Sequence, residues 1–253
     1  VKAIILAAGY ATRLYPLTLD RPKALLPVGG RPMVEHVIDR LATIPEVDEI
    51  LLVTNAKFAG QFEEWAAGFD APRAGLTPRI VDDGTHDAET RLGANGDLAF
   101  VIEQAGIDDD IVVVASDNLF DASLAGFAEE FRRRGTPVVA LTDIGDLALM
   151  PEYSMVDTDG DGCLTSFVEK PEHPTTTLSC IALYLYPRAA LPELRRYLDE
   201  GNNPDQPGRF VAWLYPRQPV HTWMLHGLWY DIGGLEQLHE ADRIFTEKAQ
   251  SRH

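Results

Sequence analysis

The chain has 253 residues, of which 45% are hydrophobic and 24% charged. That suits one α/β domain with a sizeable core and excludes a disordered or fibrous chain. A net charge of -17, with a pI near 4.7, argues against a nucleic-acid binder or a protein of anionic membrane surfaces, and no apolar run reaches bilayer-crossing length.

Residues 2–8 (KAIILAA) read as a buried first strand. They lack the small-residue cleavage site of a secretory signal, so a cytoplasmic protein is expected. Val34, Val37, Ile38 and Leu41 share one helical face over 33–44. Residues 49–54 (EILLVT) read as a strand, 57–67 as a helix, 79–82 as a short strand and 97–105 as a helix. The run 111–115 (IVVVA) is continuously apolar, as in a central strand buried on both faces. A helix near 122–134 and a strand near 137–142 follow.

The second half is more irregular. Residues 153–157 and 163–169 flank the turn-rich DTDGDG, the pattern of a β-hairpin. That segment starts like an EF-hand loop, but Val168 stands where the loop requires Glu, and Glu169 comes one place late. A solvated turn is expected instead. Residues 178–186 read as a strand, 189–200 and 209–216 as helices, 220–225 and 228–232 as extended, and 234–248 as a closing helix. Cys163 and Cys180 are expected to be free thiols in a reducing compartment. Trp213, Trp223 and Trp229 are expected to serve packing more than ligand stacking, and His36 and His239 to be ordinary packed or surface residues.

The most informative segment is LAAGYATRLYPLTLDRPKALLPVGGRPM. Residues 1–34 hold Lys2, Arg13, Arg21, Lys23 and Arg31 against the single acid Asp20, a local excess of cations in an acidic chain. An anionic ligand is expected there. Gly9, Ala8 and Ala11 leave room for main-chain N–H groups to approach a polyphosphate, and Arg13 and Lys23 add fixed charge. The loop is neither a Walker A motif nor a dinucleotide fingerprint, and a Gly loop after a strand, taken alone, is more often an ordinary βα turn. The extended pattern G-x-x-T-R-L-x-P-x-T-x-x-x-P-K-x-L-x-P-V is much more specific.

That pattern resembles the sugar-phosphate nucleotidyltransferase family, glucose-1-phosphate thymidylyltransferases in particular. The resemblance continues through RLGANGDL (91–98), SDNL (116–119), FVEKP (167–171), GNNPD (201–205) and WYDIG (229–233), in the family's order, so it spans the whole chain. It implies a Rossmann-like mixed, mostly parallel α/β sheet flanked by helices, with an inserted acceptor-binding β region. One domain is expected over 1–253, with a nucleotide-binding half (1–118) and an acceptor-binding half with closing helix (119–253).

The resemblance also assigns roles. Leu6, Ala7, Ala8 and Gly9, with Arg91, Gly96 and Asp97, would bind the nucleotide. Arg13, Lys23 and Lys170 would be the catalytic cations. Tyr153, Glu169, Lys170, Ile181 and Ala182 would meet the acceptor. Asp117, directly after strand 111–115, and Asp231, after a second apolar strand, would hold Mg²⁺, although residue type alone favours helix N-caps at both and only the motif context reverses that. The partners implied are a nucleoside triphosphate and a small phosphorylated acceptor.

The chain departs from the family at three places. Ser116 stands where Gly is usual. Tyr153-Ser154 replaces Tyr-Gly, and Ile181-Ala182-Leu183-Tyr184 replaces Thr-Gly-x-Tyr. Larger side chains there are expected to fill acceptor space, favouring a deoxy sugar or cyclitol phosphate over glucose 1-phosphate. The base is expected to be a pyrimidine, from dTTP or UTP. The alternatives are a cytidylyltransferase for phosphocholine-like acceptors, a glycosyltransferase and a non-catalytic nucleotide-binding regulatory subunit. Larger thymidylyltransferases carry further helices after the closing one, and weak feedback through the regulatory site those helices form is expected.

Overall fold

The computed structural model describes residues 1–73 and 75–251. The first strand, β1 (Lys2–Leu6), buries Ala3, Ile4 and Ile5 completely. A long loop with two 3-10 turns leads to a small hairpin, β2 (Pro27–Val28) and β3 (Arg31–Pro32). Helix α1 (Met33–Leu41) follows and buries Val34, Val37, Ile38 and Leu41, the face its spacing predicted. Then come β4 (Glu49–Thr54), α2 (Ala59–Gly68), β5 (Arg79–Asp82), α3 (Ala94–Ala105) and β6 (Ile111–Ala115). The second half adds β7 (Asn118–Phe120), α4 (Ala125–Arg134), β8 (Val138–Asp143), β9 (Ser154–Thr158), β10 (Leu164–Glu169) and β11 (Leu178–Tyr186). It closes with α5 (Leu191–Asp199), α6 (Pro207–Leu214), β12 (His221–Met224), β13 (Trp229–Asp231) and α7 (Leu235–Gln250).

Seven strands form one sheet in the order β12-β8-β11-β6-β1-β4-β5, so both halves of the chain contribute to it. β6, β1, β4 and β5 are parallel neighbours, with Lys2 opposite both Glu49 and Ile111. β11 runs antiparallel between β6 and β8, and β12 is parallel to β8. The sheet is therefore mixed and mostly parallel, as the family resemblance implied.

The alternation of β1, β4 and β6 divides the core into two layers. Ile5, Leu52, Val112 and Val114 face the layer containing α1 and α7, while Ile4, Leu51, Val53 and Val113 face the layer containing α3 and α6. Burial on both faces explains why these strands read as unbroken apolar runs.

Two small ribbons lie outside the sheet. β9 and β10 pair antiparallel around DTDGDG, where the Asp159 carboxylate accepts the N–H groups of Asp161 and Cys163 at 3.0 and 2.9 Å. The turn is thus closed on its own backbone, as expected. β7 and β13 also pair antiparallel, with Asp231 opposite Asn118. Both cysteines are free, and Cys180 is buried. No described helix is long and apolar enough to cross a membrane.

Candidate active site

The carboxyl ends of β1 and β6 open onto a cavity of about 540 Å³. This is the edge of an α/β sheet where ligands characteristically bind. The N–H of Ala7 still serves the sheet, donating to Val53 at 2.9 Å. Beyond it the chain leaves the sheet, and the main-chain N–H groups of Gly9, Tyr10 and Ala11 find no protein acceptor among the described residues. A Cβ on Gly9 would enter open space, so the glycine relieves no clash within the protein and keeps room beside this backbone. Ala11 adopts the left-handed conformation (φ 47°, ψ 44°), which turns the chain toward Arg13. The Asn55 side chain secures the loop by donating to the Ala8 carbonyl at 2.8 Å, and Thr18 donates to the Ala11 carbonyl at 2.8 Å. Free N–H groups, a small residue and a cation together form an anion cradle.

Two carboxylates face this loop. Asp117 sits between β6 and β7, and Asp231 ends β13. The pairing of β7 with β13 brings them together, and the Asn118 amide spans the pair, 3.2 Å from Asp117 and 3.5 Å from Asp231. Trp229 fixes Asn118 in turn by donating its indole N–H at 2.9 Å. Neither aspartate caps a helix: α4 starts at Ala125, and the residue preceding α7 is Gly234.

Lys23 reaches Asp117 at 2.6 Å. Burial pushes the Asp117 carboxyl up, but the Lys23 ammonium and the hydrogen bonds from Lys23 and Asn118 outweigh it and hold the group below the usual carboxylate range. Asp231 goes the other way. Burial and then the neighbouring Asp117 charge push it up to about 7, with Lys23 and Arg13 only partly opposing. Two converging carboxylates under a cationic loop fit Mg²⁺, which takes one or two carboxylates and completes its shell with phosphate oxygens and water. Lys23 supplies the countercharge in the structure described here. No group of three or more His, Cys, Asp or Glu side chains suited to a metal occurs among the described residues, so an all-protein cage is not what this site offers.

The far end of the cavity is built by the start of α3 and the loop before α6. Gly93 has φ +79°, and a Cβ there would fall 2.8 Å from the Pro204 carbonyl. That close approach lets Asn95 donate its main-chain N–H to Pro204 at 2.8 Å and its side-chain amide to Gln206 at 2.8 Å. Arg91 clasps Asp205 through two hydrogen bonds, of 3.1 and 2.9 Å. Asp97 lines the cavity beside the buried Asp83.

Of the residues singled out in the sequence, Leu6, Ala7, Ala8, Gly9, Arg13, Lys23, Arg91, Asp97, Asp117 and Asp231 all line this one cavity. Gly96 does not; its Cα faces Leu92 and Pro204, and Gly93 makes the closer approach. Tyr153, Glu169, Lys170 and Ala182 lie on the β9–β10–β11 side, outside the cavity lining. Tyr153 packs its ring 5.6 Å from Trp229, and burial, followed by the Asp231 charge, raises its pKa. Burial raises Glu169, partly offset by Lys170 and Arg209. Lys170 takes a left-handed backbone (φ 50°) and donates its N–H to Tyr153 at 2.9 Å.

The larger residues of the acceptor segment are turned inward. The Ile181 side chain is 2% exposed inside the main core, so only its main chain is available to a ligand. Ser154 is also buried, and its hydroxyl bonds the main chain of Cys180 twice, at 2.9 and 3.2 Å, where β11 bulges. The Ile181 and Ser154 side chains thus serve the core and the sheet. Sequence reasoning also missed Asp83 and gave no role to Gly93, Asn118 or Asp205. A glycine opening a helix at Gly93 was a usable signal; nothing in the sequence marks Asp83, because its partner lies on another element.

A profile of the nucleotidyl transferase family matches residues 2–248. A protein of Sulfolobus acidocaldarius, provisionally named a mannose-1-phosphate guanyltransferase, is 30% identical over 92% of the chain, and the chain spans 60% of that relative's length. A glucose-1-phosphate thymidylyltransferase of Streptomyces antibioticus is 24% identical over all of the chain and 68% of its own length. A solved UDP-glucose pyrophosphorylase in complex with UDP-glucose superposes with a TM-score of 0.81 over 98% of both chains, a likeness of fold at 18% identity. The chain belongs to the nucleotidyl transferase family.

Proposed function

We propose that this chain is a Mg²⁺-dependent sugar-phosphate nucleotidyltransferase, joining a sugar 1-phosphate or a similar small phosphate to the nucleoside monophosphate unit of a triphosphate. The observation that carries the reading is the convergence of Arg13, Lys23, Asp117 and Asp231 on the cavity beneath a loop of unpaired N–H groups. Family membership supports it. In this reading the nucleotide is held by residues 1–118 and the acceptor by residues 119–253, with Tyr153, Glu169, Lys170 and the segment at Ile181-Ala182 on the acceptor side.

An acceptor phosphate oxygen attacks the α-phosphorus of the triphosphate. One P–O bond forms, the α–β bridging bond breaks, and pyrophosphate leaves. The acceptor is already an anion, so no side chain has to abstract a proton or form a covalent adduct. The chief obstacle is repulsion between two phosphates, and the residues answer it with charge and position. The Gly9–Ala11 N–H groups and Arg13 hold the leaving end. Lys23 and Lys170 draw donor and acceptor phosphates together from opposite sides. Asp117 and Asp231 would hold Mg²⁺, which when bound neutralises phosphate charge and orients the reacting oxygens.

The test is release of pyrophosphate from each nucleoside triphosphate, with Mg²⁺ and a panel of sugar and cyclitol phosphates. Arg13→Ala is expected to lower turnover on the order of 10²-fold, as for loss of a pre-organised charge partner. If no pair of substrates yields pyrophosphate, the reading fails. If Arg13→Ala changes only the acceptor KM, Arg13 does not serve the leaving group.

A further inference from the structure

Asn118 is 4% exposed and stands in β7 directly opposite Asp231 of β13, with Asp117 as its chain neighbour. That register puts one amide within reach of both carboxylates of the candidate metal pair. Which way the amide faces follows from its partners. The Trp229 indole can only donate, so the atom it meets at 2.9 Å is the Asn118 carbonyl oxygen. The Asn118 NH₂ group is thereby turned toward Asp117 and Asp231. Asp117, held ionised by Lys23, can only accept, so this end of the amide requires the same orientation.

The NH₂ group bonds Oδ1 of each aspartate, at 3.2 Å for Asp117 and 3.5 Å for Asp231. Oδ2 of Asp117 meets Lys23 at 2.6 Å, and Oδ2 of Asp231 makes no hydrogen bond among the described residues. Two carboxylates this close repel, and they relieve the repulsion by splaying apart or taking up a proton. A shared donor on one oxygen of each opposes the splaying. It leaves the second oxygen of each to partners in the cavity that both residues line.

A flipped amide would do the reverse, setting its carbonyl oxygen against the Asp117 carboxylate. The Trp229 N–H prevents the flip, and no second donor to the Asn118 oxygen occurs among the described residues. Trp229 is set in turn by β13, opposite Phe120 of β7, and its ring packs edge-on against Tyr153.

Resting on the proposed function, we propose that Asn118 is a positioning residue for the Mg²⁺ ligands: its amide, locked by the Trp229 indole, presets Asp117 and Asp231 to take one divalent ion together. In this role Trp229 acts through Asn118, and Asn118 acts through the two carboxylates.

Mn²⁺ binding tests this without turnover. It is read by electron paramagnetic resonance on the full chain with the α,β-methylene analogues of ATP, GTP, CTP, UTP and dTTP in turn. Asn118→Ala is expected to weaken Mn²⁺ binding about 10- to 100-fold, the usual effect of removing a partner that orients metal ligands. Trp229→Phe keeps an aromatic ring beside Tyr153 and frees the amide to turn. It is expected to weaken Mn²⁺ binding in the same direction but by less, and it serves as the second variant if Asn118→Ala does not fold. The double variant is expected to bind Mn²⁺ no more weakly than Asn118→Ala alone, because the indole works only through the amide. Binding of inorganic tripolyphosphate in chelator is expected to be retained in both single variants, whereas general damage to the site would weaken it alongside Mn²⁺. Parent-like Mn²⁺ affinity in the single variants overturns the inference alone. An additive loss in the double variant, or a parallel loss of tripolyphosphate, also overturns it. If the parent itself retains no Mn²⁺ with any analogue, the inference falls together with the function it rests on.

Discussion

Asp231 carries two conflicting demands. It is buried beside Asp117, and both share one Asn118 amide, so two negative charges are held together with Lys23 as their immediate countercharge. Such an arrangement is unfavourable in the empty protein and useful only when a further cation arrives. Asp231→Asn keeps the shape of the side chain and removes one of the two charges. The variant is expected to lose nearly all pyrophosphate release, because half of the Mg²⁺ ligand pair is gone. Without Mg²⁺ it is also expected to be more stable than the parent, by about 1 kcal/mol, as relief of functional strain commonly gives. Denaturant unfolding in chelator, beside the activity assay, checks both. A variant that is less stable and fully active contradicts the reading at this residue.

At the scale of elements, α3 and the loop at 201–206 behave as one unit. Gly93 is where they touch, and its positive φ and the closeness of Pro204 both demand glycine. Gly93→Ala is expected to destabilise the fold by about 2–4 kcal/mol, combining backbone strain with a clash against main chain that cannot rotate away. Triphosphate affinity is expected to fall with it, because Arg91 and Asp97 would shift. Gly9→Ala, by contrast, meets no protein atom and is expected to weaken triphosphate binding with little change in stability. Equal unfolding midpoints for the Gly93→Ala variant and the parent would contradict this view of the contact. The same elements show what a sequence discloses. β4 and β6 were legible because strands buried on both faces are apolar throughout, and α1 because its apolar residues keep a helical spacing. β7 and β13 are three residues each and are defined by pairing across a long stretch of chain, so nothing local revealed β7. Asp117 and Asp231 were identifiable through their motifs, yet the reason they meet is that ribbon. The side-chain direction of Ile181 was not legible for a related cause: it depends on the bulge in β11, which sequence does not encode locally.

For the whole molecule, the net charge of -17 says little about where pH acts. Many of the ion pairs are exposed, as Arg243–Glu247 and Arg195–Asp199 are, and such pairs contribute little. The buried acids matter more. Burial, followed by the charge and hydrogen bond of Asp83 and then the charge of Asp205, pushes Asp97 up to about 8. Tyr10 also faces this cluster, and Arg91 balances Asp205. Unfolding releases Asp97 into water, where it titrates near pH 4. Below about pH 4 the carboxyl is protonated in both states and costs nothing. Between about pH 4 and 8 the folded protein retains a proton that the unfolded chain has lost, so stability falls as pH rises, by at most about 1.4 kcal/mol per pH unit. Above pH 8 the loss is complete and level. Asp97→Asn removes this titration. Its stability advantage over the parent is therefore expected to be smallest near pH 4 and to grow to a few kcal/mol by pH 8, measured by urea unfolding of the ligand-free protein across that range. A difference that stays constant with pH would mean that Asp97 ionises freely in the fold and that the two buried carboxyls do not share a proton.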